Sequence, residues 1–156
     1  MRVKISIIGG GLAGVEAAFQ VSKRGIDVDL YEMRPGVQTE AHHTGFLGEM
    51  VCSNSLGSTE ITSASGLLKE ELKLLDSFFL NVAEKNKVPA GSSVSVDRFR
   101  LAEELTASVE SLAGVRVIRR EIKNLAEIDG PIILATGPLT GDALAQSLTQ
   151  LTMVFL

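Results

Sequence analysis

Apolar positions along this chain follow two rhythms, and the change from one to the other marks out the elements. Val3, Ile5, Ile7 and Ile8 make a short β-type run. Helical spacing then takes over from about Gly14 to Lys23 and ends at Arg24-Gly25, as helix C-termini favour. Asp27 to Glu32 reads as a second strand, closed by the turn Met33-Arg34-Pro35-Gly36. Residues 37–65 show no period. Their Thr, Ser and Gly content admits a flexible linker, whereas Phe46, Leu47, Met50, Val51 and Leu56 favour an ordered irregular segment. From Gly66 to Asn86 one amphipathic helix is predicted. It has Leu67, Leu68, Leu72, Leu75, Phe78, Phe79 and Val82 on the apolar face and Lys69, Glu70, Glu71 and Lys73 in solvent.

Val88 to Gly91 then reads as a turn and Ser93 to Val96 as a short strand. Asp97 is placed to cap a helix that runs to Leu112 and buries Phe99, Leu101, Leu105 and Val109. Val115 to Ile118 is a strand, Ile122 to Ile128 a further short strand or turn, and Ile132 to Ala135 the last clear strand. A helix from Thr140 to Leu151 follows. This order predicts an α/β protein: a Rossmann-like three-layer sheet with a loop and helical insertion over residues 36–97. About eighty residues separate the second strand from Val115. A plain NAD domain reaches its third strand sooner, so the pattern leans toward a flavin-binding variant.

The strand-to-helix junction carries the chemistry. Gly9, Gly11 and Gly14 fit G-x-G-x-x-G directly after a strand and before a helix, the context a dinucleotide fingerprint requires. The first glycine permits the tight turn, the second a close approach of pyrophosphate, and the third close packing of helix on strand. The turn Gly9, Gly10, Gly11, Leu12, Ala13, Gly14 also opens a helix whose unpaired N–H groups favour phosphate. Glu32 follows Gly14 by eighteen residues, close to the roughly 20 expected of a ribose-binding acid. A glycine turn in some other α/β protein and a solvated strand-end carboxylate are the plainer alternatives. Only one such glycine motif occurs.

Composition narrows the picture further. A chain of 156 residues with 45% apolar content suits one domain, and no run approaches a membrane span. The start in a core strand gives no expectation of a signal peptide. A single cysteine, Cys52, excludes an internal disulfide and fits a reducing cytoplasm. The net charge of −4 is no footprint for nucleic acid, so RNA contact would need a local patch or a further region. No cysteine cluster or acidic pair has ligand spacing, so no metal is expected. His42 and His43 read as surface polar residues of a loop.

GGGLAGVEAA (9–18), YEMRP (31–35), VCSNSL (51–56), GLLKEEL (66–72), VPAG (88–91) with VDR (96–98), and ATGPLT (135–140) occur in this order. Together they resemble the TrmFO family of folate- and FAD-dependent tRNA (uracil-5-)-methyltransferases, over nearly the whole chain to about Leu151. The glycine motif is shared by many flavoproteins. VCSNSL and ATGPLT distinguish the chain from the related GidA/MnmG type.

The resemblance implies FAD as cofactor, with methylenetetrahydrofolate and NAD(P)H as co-substrates. It implies tRNA as the partner and 5-methyluridine in the T-loop as the product, made in the cytoplasm without metal or membrane. It places Gly9, Gly11 and Gly14 on the pyrophosphate and Glu32 on the adenosine ribose. Arg34 becomes a further cofactor contact, Asn54 and Ser55 fall near the flavin ring or ribityl chain, and Gly137 closes over FAD. Cys52 becomes a flavin-side thiol, against the plainer reading of a small buried apolar residue. The uracil-attacking cysteine is expected in a C-terminal half that this chain lacks. Family members are longer, so the chain reads as a truncated N-terminal portion, inactive by itself. The alternatives are a stand-alone dinucleotide-binding module and a flavin oxidoreductase of the GidA/MnmG-like class.

Overall fold

A computed structural model describes residues 3–153. Four parallel strands form the central sheet: β1 (Lys4–Ile8), β2 (Asp27–Glu32), β6 (Val115–Arg119) and β7 (Ile132–Leu134), in the order β6-β2-β1-β7. The sheet therefore reverses direction of growth at β1, and a crevice opens beyond the strand ends at such a reversal. Alternation along the strands assigns the two faces. Ile5, Ile7, Val28 and Leu30 pack against α1 (Leu12–Ser22), α3 (Phe78–Lys85) and α4 (Arg98–Glu110), with Val15, Ala18, Val82, Leu101, Leu105 and Val109 buried between them. Ile8, Tyr31 and Ile132 face the other way. They pack with Ile122, Leu144 and Leu148, the last two on α5 (Asp142–Met153). The result is the three-layer Rossmann-like arrangement that the order of elements predicts.

The stretch 36–97 holds more than loop and helix. β3 (Ser55–Ser58), β4 (Lys87–Val88) and β5 (Ser93–Val96) make a separate antiparallel sheet in the order β3-β5-β4. The connection from Val88 to Ser93 is too short for a parallel crossover, so β4 and β5 pair as a hairpin, Val88 opposite Ser95. Leu47 is fully buried and donates its N–H to Thr106 Oγ1 at 2.8 Å, so the segment 37–54 is anchored at its middle rather than a free linker, while 52–54 are exposed.

The single helix expected over 66–86 is two. α2 (Ala64–Leu74) ends at Leu75, Asp76 takes a positive φ of 55°, and Ser77 caps α3 by accepting the Leu80 N–H. Glu16 on α1 drives the break. Its carboxylate accepts the Ser77 hydroxyl at 3.0 Å and the N–H groups of Phe78 and Phe79 at 3.2 and 2.8 Å. The faces of α2 also differ from expectation. Lys69 is buried, donating to the carbonyls of Leu56 and Ser65 at 2.6 and 2.8 Å, whereas Leu67, Leu68 and Leu75 are exposed. Lys69 points inward because β3 supplies a carbonyl there, a partner invisible in a helical periodicity. Phe99 is likewise exposed, edge-on to Phe46 at 5.4 Å. Asp97 caps α4 as expected, accepting from Phe99 and Arg100. Residues 122–128, expected as a short strand or a turn, carry a 3-10 turn with an Asn124–Glu127 capping box.

Candidate dinucleotide-binding site

The carboxyl ends of β1, β2 and β7 converge on Gly9. Its N–H donates to Tyr31 O at 2.8 Å, and Ala135 N–H donates to Ile8 O at 2.8 Å. Gly9 has a φ of 104°, and a Cβ there would lie 2.5 Å from Ala135 O, so only glycine fits. Gly10 is closed too: a Cβ would meet Leu47 Cδ2 at 2.5 Å and Glu32 Oε2 at 2.8 Å. A Cβ on Gly14 would lie 1.8 Å from Gly9 O, so the first turn of α1 rests directly on the glycine turn. Gly11 differs from all three. Nothing lies within 4 Å of the Cβ it lacks, and as the N-cap of α1 it offers no side-chain acceptor. The first N–H groups of α1 therefore have no side-chain cap.

Glu32, 5% exposed, borders this turn. Its Oε2 accepts the Gly10 N–H at 2.8 Å, and its Oε1 accepts the Arg34 N–H at 3.0 Å and Arg34 Nε at 2.9 Å. Burial pushes this carboxyl up, but the Arg34 hydrogen bonds and charge, with the Gly10 N–H, outweigh it and hold the pKa below 4.5. Oε2 keeps an accepting position for one further donor. Arg34 is 2% exposed and bridges to Glu49 through Nη1 at 3.0 Å. Glu49 also accepts from the His43 N–H and from the N–H and hydroxyl of Thr44. Burial raises the Glu49 pKa, and these donors together with Arg34 bring it below the ordinary value. A buried acid–base–acid chain thus ties the end of β2 to the following loop.

These groups line one cleft, open to solvent, above the strand ends. Gly9, Gly10, Gly11, Glu32 and Arg34 are among its walls, opposite Arg120, Glu121, Thr136, Thr140 and Gly141. Arg120 lies over the Tyr31 ring, 5.3 Å from its centroid, and Thr136 and Thr140 share a hydroxyl contact of 2.6 Å. Leu12, Ala13 and Gly14 open α1 and are not among the lining residues, with Ala13 exposed and Gly14 buried. Gly137 has a φ of 64° and open space over its α-carbon in the turn after β7, beside the lining residues Thr136 and Leu139. Cys52, Asn54 and Ser55 are exposed and do not line the cleft. Cys52 and Asn54 border a separate open depression with Arg98, and Ser55 starts β3, its hydroxyl 2.8 Å from that of Ser93.

Sequence reasoning assigned no site role to Arg120, or to Thr136 and Thr140 of the ATGPLT run, and all three reach the cleft because β6 and β7 flank β2 and β1. It also read His42 as a surface polar residue, whereas His42 is half-buried and lines the same cleft. Among the described residues no group of three His, Cys, Asp or Glu side chains could hold a metal. No helix among them is long and apolar enough to cross a membrane.

A family model described as glucose inhibited division protein A matches residues 4–150. Curated relatives named methylenetetrahydrofolate--tRNA-(uracil-5-)-methyltransferase TrmFO are similar to this chain. The relative from Dictyoglomus thermophilum is 53% identical over 148 residues, 95% of this chain and 34% of its own length. That from Persephonella marina is 49% identical over 149 residues, 96% and 34%. The chain therefore spans about a third of the length of the curated relatives it matches. The crystal structure of the GidA-related protein from Thermus thermophilus superposes with a TM-score of 0.52 at 14% identity. It covers 97% of this chain and 69% of that one, a likeness of fold.

Proposed function

The chain belongs to the glucose inhibited division protein A family, and we propose that it forms the FAD-binding part of a folate-dependent tRNA (uracil-5-)-methyltransferase. Identity at about half of the positions with proteins bearing that name supports the reaction. The observation that carries the binding reading is the contrast among the glycines. In the fingerprint turn, Gly9, Gly10 and Gly14 are closed against protein where a Cβ would stand, while Gly11, also on the cleft wall, has open space there, as a backbone built to be approached by pyrophosphate requires. FAD, when bound, supplies the redox and one-carbon chemistry, with methylenetetrahydrofolate as carbon source and NAD(P)H as reductant, for methylation of a T-loop uracil in tRNA.

The chain's own residues bind and orient. Gly9 and Gly10 set the turn, Gly14 seats α1, and the N–H groups at Leu12 and Ala13 meet the pyrophosphate over Gly11. Glu32 accepts a hydroxyl of the adenosine ribose through Oε2. Arg34 holds that carboxylate ionised and aimed. Gly137 lets the turn after β7 fold over the ligand, and Cys52, Asn54 and Ser55 serve the flavin end, outside the adenosine cleft. The reaction belongs to the cytoplasm, where folate and tRNA meet. Gel filtration of the purified chain after incubation with FAD tests the reading. Flavin absorbance is expected to travel with the protein peak. A folded chain, by circular dichroism, that retains no flavin at about 100 μM would overturn it.

A further inference from the structure

His42 sits on the loop between β2 and β3 and lines the cleft beside Glu32, Met33 and Arg34. Its ring is fixed by a neighbour three residues away. Thr39 Oγ1 lies 2.6 Å from Nδ1, and the same oxygen accepts the His42 backbone N–H at 3.2 Å. The hydroxyl can donate to a bare Nδ1 or accept from an Nδ1–H. Donation gives the hydroxyl proton a partner while its oxygen accepts the backbone N–H, and this pairing puts the ring proton on Nε2. No described residue accepts a hydrogen bond from Nε2, so this donor is left for whatever enters the cleft. Burial and the Arg34 charge hold the imidazole below its ordinary pKa of 6.5, with a smaller push from His43. Glu49 and Glu32 pull the other way without reversing the shift. The ring is thus neutral at physiological pH.

Glu32 offers the complementary half, an acceptor without a proton. A ribose hydroxyl both donates and accepts, so a vicinal diol satisfies an acceptor on one side and a donor on the other. Resting on the dinucleotide reading above, we propose that His42 Nε2–H and Glu32 Oε2 form a two-sided clamp on the adenosine ribose. The clamp selects an unphosphorylated diol against a ribose 2′-phosphate. Such a phosphate would bring a second anion against Glu32, where Arg34 Nε and Nη1 are already committed to Glu32 and Glu49. The uncharged imidazole offers a phosphate one hydrogen bond and no charge.

The test measures FAD affinity of the purified chain by quenching of flavin fluorescence, for the native sequence and for His42→Leu, His42→Gln and Thr39→Val. His42→Leu is expected to weaken FAD about tenfold, as loss of one hydrogen bond to a buried hydroxyl does. His42→Gln, which keeps a donor at the same reach, should stay within about threefold of the native chain. In competition, 2′-phospho-ADP-ribose should displace FAD at least about tenfold less well than ADP-ribose. Nitrogen-15 spectra resolve both histidines, since the chain has only two. They should show His42 protonated at Nε2 in the ligand-free protein, and Thr39→Val should mix the tautomers. Equal FAD affinity for His42→Leu, equal competition by the two ADP-riboses, or a proton on Nδ1 overturns the clamp and leaves the dinucleotide reading standing. A native chain that binds no FAD overturns both.

Discussion

Two alanine substitutions in one glycine turn should separate fold from function. At Gly14 a Cβ would lie 1.8 Å from Gly9 O and 3.0 Å from Gly9 C. Both are backbone atoms of a turn that is itself held against Ala135, so nothing flexible can yield. α1 must lift from the sheet by roughly 1 Å or more, which disturbs the contacts of Val15 and Ala18, both fully buried. Overpacking of this kind costs about 3 kcal/mol. Alanine recovers about 1 kcal/mol as the better helix former, leaving a net loss of about 2 kcal/mol. At about 2–4 °C per kcal/mol for a domain of this size, Tm should fall by about 4–8 °C. Gly11→Ala meets no atom within 4 Å. Its φ of −72° suits any residue, the poorer N-cap costs about 0.5–1 kcal/mol, and the stiffer unfolded chain returns about as much. Tm should stay within about 2 °C, while the new methyl occupies the space a pyrophosphate needs and lowers FAD affinity by at least about tenfold. Thermal unfolding followed by far-ultraviolet circular dichroism, with and without FAD, reads both effects. Equal Tm losses in the two variants, or a Gly11→Ala chain that binds FAD like the native one, would refute the reasoning.

Arg34→Met should cost about 3–5 kcal/mol in urea unfolding, because the Glu32 and Glu49 carboxylates lose the cation between them while staying largely buried. A loss under about 1 kcal/mol would show that the chain of charges contributes little. Acid should unfold the protein through the same groups. Glu32 and Glu49 have folded-state pKa values below 4.5, so their contribution is complete above that pH and is lost as pH falls through the depressed values. Urea midpoints should therefore decline from about pH 5 to about pH 3, and a flat or rising profile would contradict the sign. Glu16→Ala removes the acceptor at the start of α3 and should cost about 1–2 kcal/mol. Hydrogen exchange should quicken first at the α3 amides, and unchanged protection there would mean that Ser77 suffices as a cap.

Much of the fold was legible in local pattern. The β-α-β unit, the cap at Asp97 and the glycine turn each depend on residues within a few positions of one another, where backbone geometry and hydrogen bonding are settled by near neighbours. The second sheet was harder to read. β3 is four residues of Ser, Leu and Gly with no alternation, and it is a strand because β5 pairs with it. The cleft was half legible. Its glycine wall and Glu32 announce themselves by motif and spacing, whereas Arg120, Thr136 and Thr140 join it from strands that are distant in sequence.

By itself the sequence determined a Rossmann-like sheet with a glycine turn between its first strand and helix, because turn, strand and helix propensities there agree over one contiguous stretch. Tertiary structure decided the break at Asp76, the burial of Lys69 and the exposure of Leu67, Leu68 and Leu75. It also decided the Glu32–Arg34–Glu49 chain and the side of His42 that is left free. Each of these turns on a partner outside the local pattern: Glu16 for α3, the Leu56 carbonyl for Lys69, the 43–49 loop for Arg34. An amphipathic pattern states that a face exists. Which groups meet it is set only when the chain has closed, since burial rewards a polar side chain only where another part of the fold supplies its hydrogen bonds.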